Sequence, residues 1–218
     1  MVVYAANLSW NISSLKKEPD QFFFIKTQIL KMMLLTTLIL SLSIFSTLKD
    51  HKEPEHMKSE IIVIKDLDAN AKPYAYFSLT TGKAVSADDA KTANWDIAFS
   101  KTTIAVNSGS SGPGQAGAQV VEQPFESIND APKDGYKSDQ DDTFAIPGGS
   151  GNSWYKYDMS VHAIRPIIGR TLLVKTSDGK YAKVQIISYY KGAPEEVPTE
   201  ESSYFTFRYA LADESGKF

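Results

Sequence analysis

Residues 171–190 read TLLVKTSDGKYAKVQIISYY, and this stretch decides the fold class. Two β-rich runs, 171–176 and 181–190, flank Ser177-Asp178-Gly179-Lys180. An Asp-Gly pair between such runs marks a hairpin, because both residues tolerate the positive φ of a tight turn. Working outward, runs of the same kind recur: EIIVIK (60–65), PYAYFSL (73–79), NWDIAFSKTTIAV (94–106) and SYFTFRYAL (203–211). In the 94–106 run, Trp95, Ile97 and Phe99 fall on one face and Asp96, Ala98 and Ser100 on the other. Helical signal is scarce; residues 124–129 suffice for one or two turns. Turn-rich spacers separate the runs and no repeat period is visible. The expected fold is all-β, an antiparallel sandwich or barrel-like domain with little helix.

The N-terminus reads differently. Residues 32–48, MMLLTTLILSLSIFSTL, carry no charge, with Lys26 and Lys31 before them and KDHKE after. A basic flank and an apolar run ending in small polar residues predict a secretory signal peptide, hence export. A retained single-span anchor is the alternative, since the run of 17 residues sits at the short edge of what crosses a bilayer. The expected organisation is an extension with this apolar segment over 1–49, a charged, Pro-containing tether over 50–59, and one domain over 60–218. His51 and His56 lie in the tether and read as solvated linker residues.

Charge and composition exclude several function classes. The chain has 218 residues, and beyond residue 49 it carries 18 basic against 24 acidic side chains, a net charge of −6. That balance disfavours nucleic acid as the main partner. With no Cys there is no disulfide framework, thiolate metal site or cysteine nucleophile. Three His leave little for an all-protein zinc site.

Residues 107–117, NSGSSGPGQAG, hold four Gly but lack the P-loop pattern. They read as a turn that crosses close to other chain or lines a ligand face. Asp139-Gln140-Asp141-Asp142 lacks EF-hand spacing and reads as a solvated acidic loop. No G-x-S-x-G occurs, and His162 is the only imidazole in the domain, so the expectation is that the protein is not an enzyme. Residues 154–159, WYKYDM, form an aromatic segment ending in a thioether. It reads either as an ordinary sandwich strand with a gap-filling Met or as part of a binding site.

Several blocks together resemble the HmuY family of secreted or outer-membrane haem-binding proteins. Residues 94–118 (NWDIAFSKTTIAVNSGSSGPGQAGA) are similar to its W-D-[ILM]-A-[FL] strand and the glycine-rich run that follows. APKDGY (131–136) is similar to its P-x-D-G-Y, and TSDGKYAKVQIISYY (176–190) to its A-D-G-x-x-A-K-[VLI]-Q block. DANAKPYAYFSLTTGKAV (68–85) is similar to its opening. The resemblance spans about residues 60–211 and implies an all-β fold. It implies haem (iron protoporphyrin IX) as a non-catalytic ligand, captured hemophore-like for iron acquisition and passed to a TonB-dependent outer-membrane receptor. The alternative is a non-haem cell-surface scaffold that binds glycan or protein through its aromatic strands.

In the family the axial ligands are His or Met, and one follows a Trp-led strand by five residues. Aligned on Trp154, that position is Met159. The second ligand lies between the D-G-Y block and this Trp. Here the 18 residues between Gly135 and Trp154 include neither His nor Met. His162 is the nearest substitute, with Tyr136 and Tyr155 as further candidates. If one strand ran through 159–162, Met159 and His162 would point to opposite faces; a turn between them would change that.

Overall fold

The computed structural model describes residues 26–31, 59–199 and 201–218. The chain divides into two units, 1–56 and 57–218. In the first, residues 26–31 are helical. The expected signal segment, 32–48, and the tether histidines lie outside the described residues. Among the described residues no helix is long and apolar enough to cross a membrane.

The second unit is built from β1 (Ile62–Asp68), β2 (Ala75–Ser78), β3 (Lys83–Val85), β4 (Ile97–Ser100), β5 (Thr103–Val106), β6 (Gly117–Val121), β7 (Tyr155–Asp158), β8 (Ala163–Pro166), β9 (Thr171–Lys175), β10 (Tyr181–Tyr190) and β11 (Ser202–Leu211). A five-stranded sheet has the order β1-β11-β10-β9-β6, a four-stranded sheet the order β3-β2-β4-β5, and β7-β8 stands as a separate hairpin. These sheets are antiparallel throughout and have open edges, so the architecture is a sandwich and not a closed barrel. The two large sheets meet through aromatic rings. Phe99 lies 4.8 Å from Phe205 and 5.3 Å from Phe207, and Phe77 lies 5.4 Å from Phe207, between ring centroids. These rings are fully or almost fully buried and dominate the core by area.

The hairpin that decided the fold class is present, with Tyr181 paired to Lys175. Of the two turn residues only Gly179 takes a positive φ, +86°. Asp178 works through its side chain, accepting from Thr176 Oγ1 at 2.6 Å and Thr80 Oγ1 at 3.1 Å.

The 94–106 run is not one strand. It folds back at Lys101, φ +49°, into the β4-β5 hairpin. Its burial does not alternate either. Ile97 and Phe99 face the main core, while Ala98 joins Trp95 and Tyr76 in a cluster on the other face of the four-stranded sheet. A 3-10 turn, Phe125–Ser127, falls where residues 124–129 predicted helical turns. Phe125, Ile128 and Phe218 cover the outer face of β9 and β11 at Leu173 and Ala210.

The glycine-rich stretch makes close chain crossings. A Cβ at Gly112 would lie 2.2 Å from Asn107 Oδ1, and one at Gly109 would lie 1.8 Å from the Asp139 carbonyl oxygen. Asn107 is fully buried. Its Nδ2 donates to the Trp95 and Thr92 carbonyls, and its Oδ1 accepts from Gly114 N. Asp139, expected in a solvated loop, is fully buried: its carboxylate accepts from Val106 N at 2.9 Å and Ala145 N at 2.7 Å. Two backbone donors that the crossing would otherwise strand claim this side chain.

Candidate functional site

The β7-β8 hairpin carries the residues of interest, and its base is fastened to the sandwich. Trp154 is buried, with its ring 5.1 Å from Phe205 and its Nε1 donating to the Thr102 carbonyl at 3.1 Å. Ile167 N donates to the Trp154 carbonyl at 2.8 Å. Ile164 N donates to the Tyr190 hydroxyl at 3.0 Å, tying the hairpin to β10. Arg170 Nη1 donates to the Gly151 and Ser153 carbonyls.

The tip is different in character. Asp158 pairs with Ala163, so Met159-Ser160-Val161-His162 is a four-residue loop. Asp158 shapes it: Oδ1 accepts from Ser160 N at 3.1 Å and Ser160 Oγ at 2.6 Å, and Oδ2 accepts from Arg165 Nε at 3.1 Å. The Ser160 bonds, then Arg165, hold the Asp158 carboxyl below its usual range. His162 closes the loop at φ +57°, and its Nδ1 lies 2.8 Å from the Tyr157 hydroxyl. Met159 is 77% exposed, and Tyr157 and Val161 are also exposed.

Below the tip, a groove of about 810 Å³ runs between the hairpin, β10 and the loop over 193–197. Its walls are largely apolar, including Ile164, Ile168, Tyr190 and Pro194, and Lys156, Arg165 and Arg208 bring positive charge to it. Arg208 is engaged by Glu126 and by Gln185 Oε1 at 2.7 Å. The volume falls in the range of small-molecule sites.

Of the four sequence-predicted residues, the structure brings Met159 and His162 together on one loop. A turn separates them, so the opposite-faces geometry of a continuous strand does not apply. Tyr155 is instead buried against Trp154 in the core, with ring centroids 4.7 Å apart. Tyr136 lies in another cluster, 5.4 Å from Tyr181, where burial pushes its hydroxyl pKa up to about 12. Neither offers an exposed phenolate beside the hairpin tip. Tyr157 and Asp158 were not among the expected site residues. The Asp158-x-Ser160 spacing is the sequence signal for the turn they build, since an Asp side chain readily accepts from the amide two residues on. Among the described residues no cluster of three or more His, Asp or Glu could hold a bare metal ion.

The model of the HmuY family, described as HmuY protein, matches residues 70–209. Among solved structures, the apo HmuY analog of Tannerella forsythia aligns with a TM-score of 0.48 at 16% identity, covering 72% of this chain and 96% of that one. Apo PinO from Porphyromonas gingivitis aligns with a TM-score of 0.47 at 15% identity, covering 72% and 98%. No curated protein matches the chain. The family match takes in the whole four-stranded sheet, the whole β7-β8 hairpin and every strand of the five-stranded sheet but β1, with β11 all but complete, and the chain belongs to the HmuY family.

Proposed function

We propose that this protein is a haem-capturing protein of the bacterial cell envelope, exported through its 32–48 segment, that hands haem to a TonB-dependent outer-membrane receptor. The observation that carries this reading is the placement of Met159 within the family-matched domain. It is an open, soft thioether on a hairpin whose base is buried and hydrogen-bonded, so it can meet an iron without the fold moving.

The donor set suits haem and not a bare cation. One neutral thioether beside one imidazole is too small a donor set to hold a bare divalent cation, whereas the four nitrogens of a porphyrin already hold the iron and leave only the remaining position to the protein. Haem would be the cargo, supplying an iron with an open axial position. Met159 would ligate it, and Asp158 and Ser160 would hold the loop in shape. His162, braced by Tyr157, would stand beside Met159 as the second candidate donor. Membership of a binding-protein family supports a non-enzymatic role.

The competing reading, a glycan- or protein-binding scaffold, was to act through aromatic strands. Trp154, Tyr155, Tyr189 and Tyr190 are all buried, which takes away most of the aromatic platform that such binding would stack on.

The test is spectroscopic. Hemin, with and without dithionite, added to the full chain should shift the Soret band and give a low-spin spectrum. Met159→Ala should abolish the low-spin spectrum, and His162→Ala should leave it. No shift in either redox state would end the haem reading.

A further inference from the structure

Met159 and His162 cannot clamp one haem between them. Asp158 and Ala163, which flank their loop, are paired across the ladder, placing those Cα atoms about 5 Å apart. Only Ser160 and Val161 lie between the two candidate donors, so their Cα atoms separate by at most roughly 10 Å even with the loop fully stretched. A chain that ligates both axial positions must run around the rim of the macrocycle from one face to the other. That detour is longer than this loop allows. The hairpin therefore offers a haem one face.

What covers the other face is also constrained. Among the described residues the only Met is Met159 and the only His is His162. Tyr155 and Tyr136 are occupied in the two hydrophobic clusters. Yet the tip is apolar and open, with Tyr157, Met159 and Val161 exposed by 41%, 77% and 42%. An apolar macrocycle resting on such a tip would leave its far face in water, which is unfavourable in proportion to the area exposed. A second identical tip would bury that face and supply a second thioether. A two-fold arrangement is the commonest way for a chain to meet itself, with the same patch contributed by each copy.

We propose that haem is held between two copies of this chain, with one Met159 from each on the two sides of the ring. The inference rests on the haem-binding reading above and adds the partner and the stoichiometry. It makes the hairpin tip an interface that exists only when haem is present.

The experiment is a titration of the full chain with dithionite-reduced haem, followed by absorbance and by light-scattering mass. The expected result is a break at one haem per two chains, with the mass doubling at the same point. Met159→Leu keeps size and apolarity at an exposed site, so the fold should persist by circular dichroism while both the break and the mass increase disappear. A low-spin complex of one haem per monomer would overturn the two-copy inference and leave haem binding standing. In that case, loss of low-spin ligation in the full chain carrying His51→Ala, His56→Ala and Met57→Ala would assign the second ligand to the tether. No spectral change at any ratio would overturn the haem-binding reading itself, and the two-copy inference with it.

Discussion

Asp139→Ala should be among the most damaging substitutions of a polar residue in the domain. Its carboxylate is fully buried and is spent on two backbone amides, Val106 N at the end of β5 and Ala145 N in the connection between β6 and β7. Truncation strands both donors away from water, and each buried unsatisfied donor costs about 1–3 kcal/mol. The expected loss is about 4 kcal/mol, a large share of the roughly 5–15 kcal/mol that holds a typical domain together. Asp139→Asn keeps the shape but sets an NH2 group against one of the two amides, so about half that loss is expected. Asp141→Ala and Asp142→Ala, on exposed neighbours, should stay within about 0.5 kcal/mol of the parent. Urea unfolding monitored by Trp fluorescence measures all four, with the midpoint shifting and the slope unchanged. Asp139→Ala behaving like Asp141→Ala would refute the argument that this carboxylate organises the crossing.

Three further outcomes follow from the same structure. Gly179→Val should cost over about 1 kcal/mol in urea unfolding although nothing lies within 4 Å of the added Cβ, because a β-branched residue resists φ near +86°. Gly109→Ala should cost more, since its Cβ would sit 1.8 Å from a backbone oxygen; little soluble protein on expression is the expected readout, and parent-like yield and stability would contradict it. Asp158 has a folded pKa below its unfolded value, so its contribution is present above about pH 4 and is lost as pH falls through the folded value. Haem binding through Met159 should therefore change little between pH 7 and 5.5, Met having no proton to gain, and should weaken only below about pH 4 as the Asp158 carboxylate is protonated. A marked loss of binding already between pH 7 and 5.5 would contradict ligation through Met159.

The strands were legible because their residues alternate or cluster as β-branched and aromatic runs, and the Asp178-Gly179 hairpin because glycine marks its turn. Two turns were not. The break at Lys101 sits in Ser-Lys-Thr, with no Gly, Pro, Asn or Asp to announce it; tertiary packing of Ile97 and Phe99 on one side and Ile104 and Val106 on the other sets it there. The turn at 159–162 was hidden behind an aromatic, strand-like approach, although Asp158 and Ser160 carried its signal. The acidic run 139–142 misled for another reason. Composition cannot distinguish a carboxylate facing water from one capping backbone amides that come together only when the glycine-rich crossing forms. The same limit applies to the site: Met159 and Tyr155 belong to one segment, and only the fold sends one outward and the other into the core.

The central claim is that Met159 is the residue through which this chain holds haem. Comparing the affinities for ferrous and ferric haem in the parent, Met159→Ala and Met159→His tests it most directly. A thioether favours the reduced iron, so the parent should bind ferrous haem more tightly than ferric. Met159→Ala should lose that preference along with most of the affinity, and Met159→His should recover binding with a new loss in acid, because imidazole must be neutral to ligate. Equal affinities for both redox states in the parent, left unmoved by either substitution, would contradict the account.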